Sequence, residues 1–172
     1  RAADGRVPVM GCIHAKDTKR SIADALRAQE LGATGLQVSN PLFNDPNQDD
    51  ILRYFEALSD AIEIGIMVYH TPWYPHGEIM VDTFRRMADF EQVMAIKWCQ
   101  PRSYEYEEME ALSPFFNILE NGSNLGQCFR LGGHGFLDEQ ATAHPQHDLT
   151  ILGLLEAGKF DEGQTLRDSA TS

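Results

Sequence analysis

The sequence is poor in cysteine, lysine, net positive charge and long apolar runs, and each shortage excludes something. Its 172 residues include three cysteines, Cys12, Cys99 and Cys128, an odd number without framework spacing. A disulfide-stapled secreted scaffold is excluded on that count, and reduced thiols in a cytoplasmic protein are expected. Basic residues number 14 against 26 acidic ones, for a net charge of −12. A nucleic-acid binder needs a basic surface to displace counterions from phosphates, so that class drops out. No stretch approaches the ~20 consecutive apolar residues of a membrane-spanning helix, and no secretory leader is recognisable. An initiating methionine is also missing, so a piece of a longer chain is expected.

What is present is an alternation. Apolar, β-branched runs of strand length occupy residues 7–13, 35–38, 65–69, 93–96 and 116–119, with a weaker one at 135–137. Between them, residues 18–31, 49–62, 81–90, 104–112, 124–131 and 148–157 carry apolar side chains at helical spacing. Asp17 or Thr18 is the expected N-cap of the first helix. Gly32, Gly65 and Gly132–Gly133 follow helices, where a left-handed cap is wanted. The tail from Asp161 is expected to be a last helix or a frayed end. Strand starts lie 19 to 30 residues apart, the length of a compact βα unit, which predicts a parallel α/β sheet. The length suits one domain spanning residues 1–172.

Two architectures satisfy this pattern: a doubly wound open sheet and a closed (β/α)8 barrel. A dinucleotide-binding sheet wants G-x-G-x-x-G after its first strand. This chain has Gly11-Cys12-Ile13-His14 there. The barrel needs eight units, and six are countable.

Both architectures place ligands at the carboxyl ends of the strands. Those ends read Cys12-Ile13-His14, Ser39-Asn40-Pro41, Tyr69-His70-Thr71, Lys97-Trp98-Cys99 and Glu120-Asn121-Gly122. Of only four lysines, Lys97 alone follows an apolar strand, Val93-Met94-Ala95-Ile96. Desolvation favours the neutral amine, which attacks carbonyls; the blander reading is a lysine whose head reaches solvent at a strand end. Tyr69, closing the preceding strand, is placed to move protons for such a nucleophile, or simply to cap the sheet. A competing constellation is His14, His70, Cys99 and Glu120, a ring of types that would suit Zn²⁺.

The order of short motifs resembles the dihydrodipicolinate synthase / N-acetylneuraminate lyase family of class I aldolases. Gly5-Arg6-Val7-Pro8-Val9 is similar to the family's approach to its third strand. Asn40-Pro41-Leu42-Phe43-Asn44-Asp45-Pro46-Asn47-Gln48 matches its P-Y-Y-N-x-P-S-Q segment. Tyr69-His70-Thr71-Pro72 matches Y-N-x-P, and Ala95-Ile96-Lys97 matches G-I-K. Leu131-Gly132-Gly133-His134-Gly135 resembles the turn into the eighth strand. These five segments keep register from about residue 5 to 165.

The resemblance implies a (β/α)8 TIM barrel of which this chain supplies strands 3 to 8. It implies that Lys97 forms a Schiff base with pyruvate or another 2-oxo acid, with Tyr69 as acid/base and no added cofactor. Gly122, Phe43, His70 and Trp73 would line the substrate site, and a homotetramer is the implied assembly. The chain departs from the family at four points, the first being Asp138-Glu139-Gln140, more acidic than the small-residue stretch of the family's eighth strand. Phe43 stands where synthases carry a relay tyrosine. Trp73-Tyr74-Pro75-His76-Gly77 contains no arginine for a second carboxylate. Trp98-Cys99-Gln100 replaces E-x-S/T, and with Trp73 and Tyr74 it implies an aromatic distal pocket. Two other outcomes stay open: a metal-dependent barrel hydrolase or class II-type aldolase using His14, His70 and Glu120, and a binding protein whose relay is broken at Phe43.

Overall fold

A computed structural model describes residues 3–14, 17–42 and 45–170. Phe43 lies outside the described residues, so its expected place in the substrate site finds no structural counterpart here. Six strands form one sheet: β1 (Met10–Ile13), β2 (Gly35–Ser39), β3 (Gly65–Tyr69), β4 (Val93–Trp98), β5 (Asn117–Glu120) and β6 (Gly135–Phe136). Every neighbouring pair is parallel, and the spatial order is the chain order. Right-handed crossovers taken always in one direction put all the connecting helices on one face of the sheet. A doubly wound sheet must reverse direction and cover both faces. The observed order is that of a barrel wall.

Helices α1 (Thr18–Glu30), α2 (Gln48–Ser59), α3 (Val81–Met87) and α4 (Leu125–Arg130) connect the strands, with a 3₁₀ helix (Tyr106–Ala111) between β4 and β5. The chain closes with α5 (Pro145–Glu156) and α6 (Phe160–Ser169). Asp17 caps α1 by accepting from the Arg20 amide at 2.9 Å. Asn47 and Asp50 form a reciprocal capping box on α2, satisfying two amides that the first turn would leave bare. Helix α2 then buries Ile51, Tyr54, Phe55 and Leu58 on one face. Gly32 and Gly132 take the left-handed conformation after their helices, at φ 86° and 89°. Gly65 instead opens β3.

Three elements differ from the sequence pattern. β1 starts at Met10 rather than at residue 7, because Pro8 has no amide to give a ladder; only the Val9 carbonyl still accepts, from Thr34. The helix expected over 104–112 is a six-residue 3₁₀ turn. Its tighter winding brings Tyr106 and Met109 onto one buried side, while the Tyr104 hydroxyl is held outside it by the Ile79 carbonyl at 2.8 Å. α5 begins three residues early, at Pro145, whose fixed φ and missing amide suit a first helical position.

Alternation along the strands sorts side chains into two sets. Leu36, Val38, Ile66, Val68, Ile96 and Ile118 face the helices and are buried. With Phe55, Leu58, Phe84, Met87 and Met109 they form the main core. A smaller cluster of Leu125, Ile151 and Leu155 sits among α4, α5 and α6. The other set (Ser39, Tyr69, Lys97 and Leu119 in one register row) belongs to the opposite face. No helix among the described residues is long and apolar enough to cross a membrane.

Candidate active site

Tyr69 and Lys97 are register partners on adjacent strands β3 and β4. The Lys97 Nζ lies 3.9 Å from the centroid of the Tyr69 ring, and Lys97 as a whole is 9% exposed. Burial lowers its pKa from the ordinary lysine value, opposed in part by Cys99, Cys12 and Glu139. A neutral amine is therefore more accessible here than on a surface lysine. Burial also raises the pKa of Tyr69, which a hydrogen bond with Asn121 partly offsets. A phenol that resists ionisation is a reversible donor rather than a fixed anion.

A pocket of about 520 Å³ opens beside this pair. His14 and Ser39 line it from the ends of β1 and β2, Tyr69 and Thr71 from β3, and Trp73, Tyr74 and Pro75 from the following loop. The Tyr69 ring stands edge-on to both His14 and Trp73, with centroids 5.8 Å away in each case. The loop is folded tightly: Tyr74 donates to the Thr71 carbonyl and Gly77 to the Tyr74 carbonyl, each at 3.1 Å. Asn40 fastens it from β2 by donating to the His76 carbonyl. Gly77 is obligatory, since a Cβ there would fall 2.1 Å from the Thr71 oxygen.

Four expected site residues are placed otherwise. His70 is fully buried, its ring 5.3 Å from that of Trp98, 5.6 Å from Phe84 and 6.3 Å from Tyr104. One residue beyond Tyr69, it turns to the helix side and does not line this pocket; burial pulls its pKa down to about 4. Trp98 lies in the same layer with no exposure, which removes it from the expected aromatic end of the pocket. Glu120 is held in the interior by the Tyr106 hydroxyl and by the Asn124 and Gly122 amides. His14, His70 and Glu120 thus lie on different sides of the sheet, and the metal ring expected of them is not assembled. Among the described residues no group of three or more His, Cys, Asp or Glu side chains is arranged to hold an ion. Gly122 stands exposed after β5, where a Cβ would come within 2.8 Å of the Glu120 carboxylate. It therefore closes the turn over Glu120 and does not line this pocket.

Sequence reading missed the partners of His14. Its Nε2 lies 2.9 Å from the Cys12 Sγ and its Nδ1 lies 3.4 Å from the Ser39 Oγ, while Gln37 donates to Cys12 at 3.1 Å. The available signal was the i, i+2 spacing of Cys12 and His14 on a strand, which puts both on one face.

A parallel sheet wound in one direction, with a lysine and a tyrosine paired at the carboxyl ends of adjacent strands, defines six units of a (β/α)8 barrel. Residues 1–171 match the dihydrodipicolinate synthetase family, and the chain belongs to that family. The 4-hydroxy-tetrahydrodipicolinate synthase of Staphylococcus saprophyticus is 28% identical over 165 residues, covering 92% of this chain and 54% of that protein. A dihydrodipicolinate synthase from Thermotoga maritima superposes with a TM-score of 0.88 at 21% identity, over 96% of this chain and 58% of that one. The chloride-inhibited enzyme from Acinetobacter baumannii, complexed with pyruvate, gives 0.87 at 21% identity, over 98% and 58%. The chain spans just over half the length of these relatives.

Proposed function

We propose that this chain carries the Schiff-base centre of a lyase acting on a 2-oxo acid such as pyruvate. The observation that carries the reading is the Lys97–Tyr69 pair: a buried amine 3.9 Å from the ring of a phenol, beside an open pocket. Neutral Lys97 adds to the keto carbon, and loss of water leaves a protonated imine. The imine accepts an electron pair from the adjacent carbon, so a carbon–carbon bond or a β-hydroxyl can leave. Tyr69 passes protons during imine formation and release. Trp73 lines the part of the pocket available to the remainder of the substrate, and its loop holds aromatic rings in place of an arginine. The chemistry is that of the amine itself, so the reading requires no added cofactor. The fold relationship and the pyruvate complex of the A. baumannii relative support the substrate class.

The test is reductive trapping. The full chain is incubated with pyruvate and borohydride, and the adduct is located by peptide mass spectrometry. An adduct on Lys97, absent in Lys97→Ala, is the expected result. A folded protein that yields no adduct with pyruvate or other 2-oxo acids overturns the reading.

A further inference from the structure

His14 is an ionisable group in the pocket that the proposed mechanism leaves unused. Three observations single it out. First, its ring is held from both ends, by Cys12 at 2.9 Å and by Ser39 at 3.4 Å. Cys12 is itself held by Gln37, so the imidazole stands at the top of a polar ladder on the pocket side of β1 and β2. Second, the ring contacts Tyr69 edge-on, with centroids 5.8 Å apart. The Lys97 Nζ lies 3.9 Å from that same phenol centroid. One small molecule joined to Lys97 can therefore extend past Tyr69 to the imidazole. Third, His14 and Tyr69 line one pocket, whose other walls are Ser39, Leu42, Thr71 and the loop of Trp73, Tyr74 and Pro75; among these side chains His14 is the one imidazole, and Tyr74 is the one other phenol.

Resting on the Schiff-base reading, we propose that His14 is the acid/base residue for the substrate oxygen beyond the imine carbon, leaving Tyr69 to serve the imine itself. In the cleavage direction the substrate is a 4-hydroxy-2-oxo acid bound as its imine on Lys97. Neutral His14 takes the proton of the 4-hydroxyl. The bond between carbons 3 and 4 breaks, its electron pair moves into the protonated imine to give an enamine, and carbon 4 leaves as an aldehyde. In the synthetic direction the enamine carbon attacks the aldehyde, the carbonyl π bond opens, and protonated His14 gives its proton to the new alkoxide. Atoms and charge balance without another reactant. Two separated acid/base groups suit two separated proton transfers: one phenol would otherwise have to serve nitrogen and a distal oxygen in the same turnover. Cys12 and Ser39 act as positioning residues that fix the ring.

The experiment separates the two halves of the reaction in the full chain and its His14→Gln variant. Three readouts are compared: the borohydride-trapped pyruvate adduct on Lys97, exchange of the pyruvate methyl protons with heavy water, and cleavage of two probes. The probes are 4-hydroxy-2-oxoglutarate and 4-hydroxy-4-phenyl-2-oxobutanoate, with pyruvate release as the signal. Expected for His14→Gln are an intact adduct, exchange within a few-fold of the parent, and cleavage slowed about 10²- to 10⁴-fold, the usual contribution of one acid/base group. The pH profile of residual cleavage should also lose a limb. Cleavage unchanged in His14→Gln, with the adduct present, overturns the assignment while leaving the Schiff base standing. So does a parent that traps and exchanges pyruvate yet cleaves neither probe. Loss of the adduct in folded His14→Gln moves the residue to the imine step and also overturns it. A parent without any adduct fails earlier, on the Schiff-base reading itself.

Discussion

At the scale of single residues, Lys97 and His70 show how burial gives two neighbouring positions opposite uses. Lys97 is held in an interior that disfavours its charge, so its ammonium costs stability while its neutral amine becomes more accessible. The sign follows from linkage: a base with a lowered folded pKa penalises the fold below that pKa, and the penalty vanishes above the unfolded value. Lys97→Met is therefore expected to raise unfolding free energy by about 1 kcal/mol while abolishing the pyruvate adduct, a trade usual at active sites. Urea unfolding alongside trapping checks both halves; a destabilised variant contradicts the account. His70 obeys the same rule away from the pocket lining. Its folded pKa of about 4 against an ordinary 6.5 means that the unfolded chain takes up a proton that the fold refuses. Stability from His70 is complete above about pH 6.5, is lost progressively as the pH falls, and stops falling below about 4. The full loss is about 3 kcal/mol. In His70→Leu that component should vanish, so the urea midpoint of the variant should fall less than the parent's between pH 7 and 4.5. Parallel curves would contradict the assignment.

At the scale of elements, strand ends decide which residues reach the pocket, and this is where the sequence is both informative and misleading. The alternation of β and α segments, the six strands and the Asp17 cap are all legible, because each rests on local periodicity or local hydrogen bonding. Lys97 and Tyr69 are legible as strand-end residues, and their register partnership follows from consecutive parallel strands. His70, Trp98 and Glu120 were not, because one position along a strand reverses the face, and a list of polar strand ends does not record the face. Tyr106 was equally hidden: its partner Glu120 lies 14 residues on and is chosen by tertiary contact. That bond ties the 3₁₀ helix to β5 and partly offsets the burial that raises the carboxyl pKa. Tyr106→Phe should cost about 1–3 kcal/mol, since it strips a buried carboxylate of a donor while keeping the ring volume. Urea denaturation measures the loss; a change under about 0.5 kcal/mol, the scale of an ordinary surface substitution, would mean that the interaction is not needed.

At the scale of the whole molecule, the sheet is wound like a barrel wall but keeps two edges. β1 pairs only with β2, and β6 only with β5, among the described residues. The edges are unequal. β6 has two residues and runs into Asp138, which pairs with Arg167 of α6, and an exposed Glu139. β1 is longer, opens on Met10 and is preceded by Val7 and Val9; the three are 49%, 60% and 47% exposed. Short, charged edges resist strand addition, whereas apolar edges with free backbone groups invite it. Net charge works the other way, since −12 makes copies repel at long range. That repulsion is screened over about 10 Å at 0.1 M salt, while strand pairing acts at about 5 Å. Repulsion should therefore slow the encounter without abolishing the contact. The expected outcome is that this chain alone self-associates at micromolar concentration, faster as salt rises, and that Val9→Lys with Met10→Lys suppresses it while leaving β6 untouched. Light scattering across a salt series reads the effect. A chain that stays monomeric at all salt concentrations, or whose association ignores the two lysines, would show that the β1 edge is not the adhesive one.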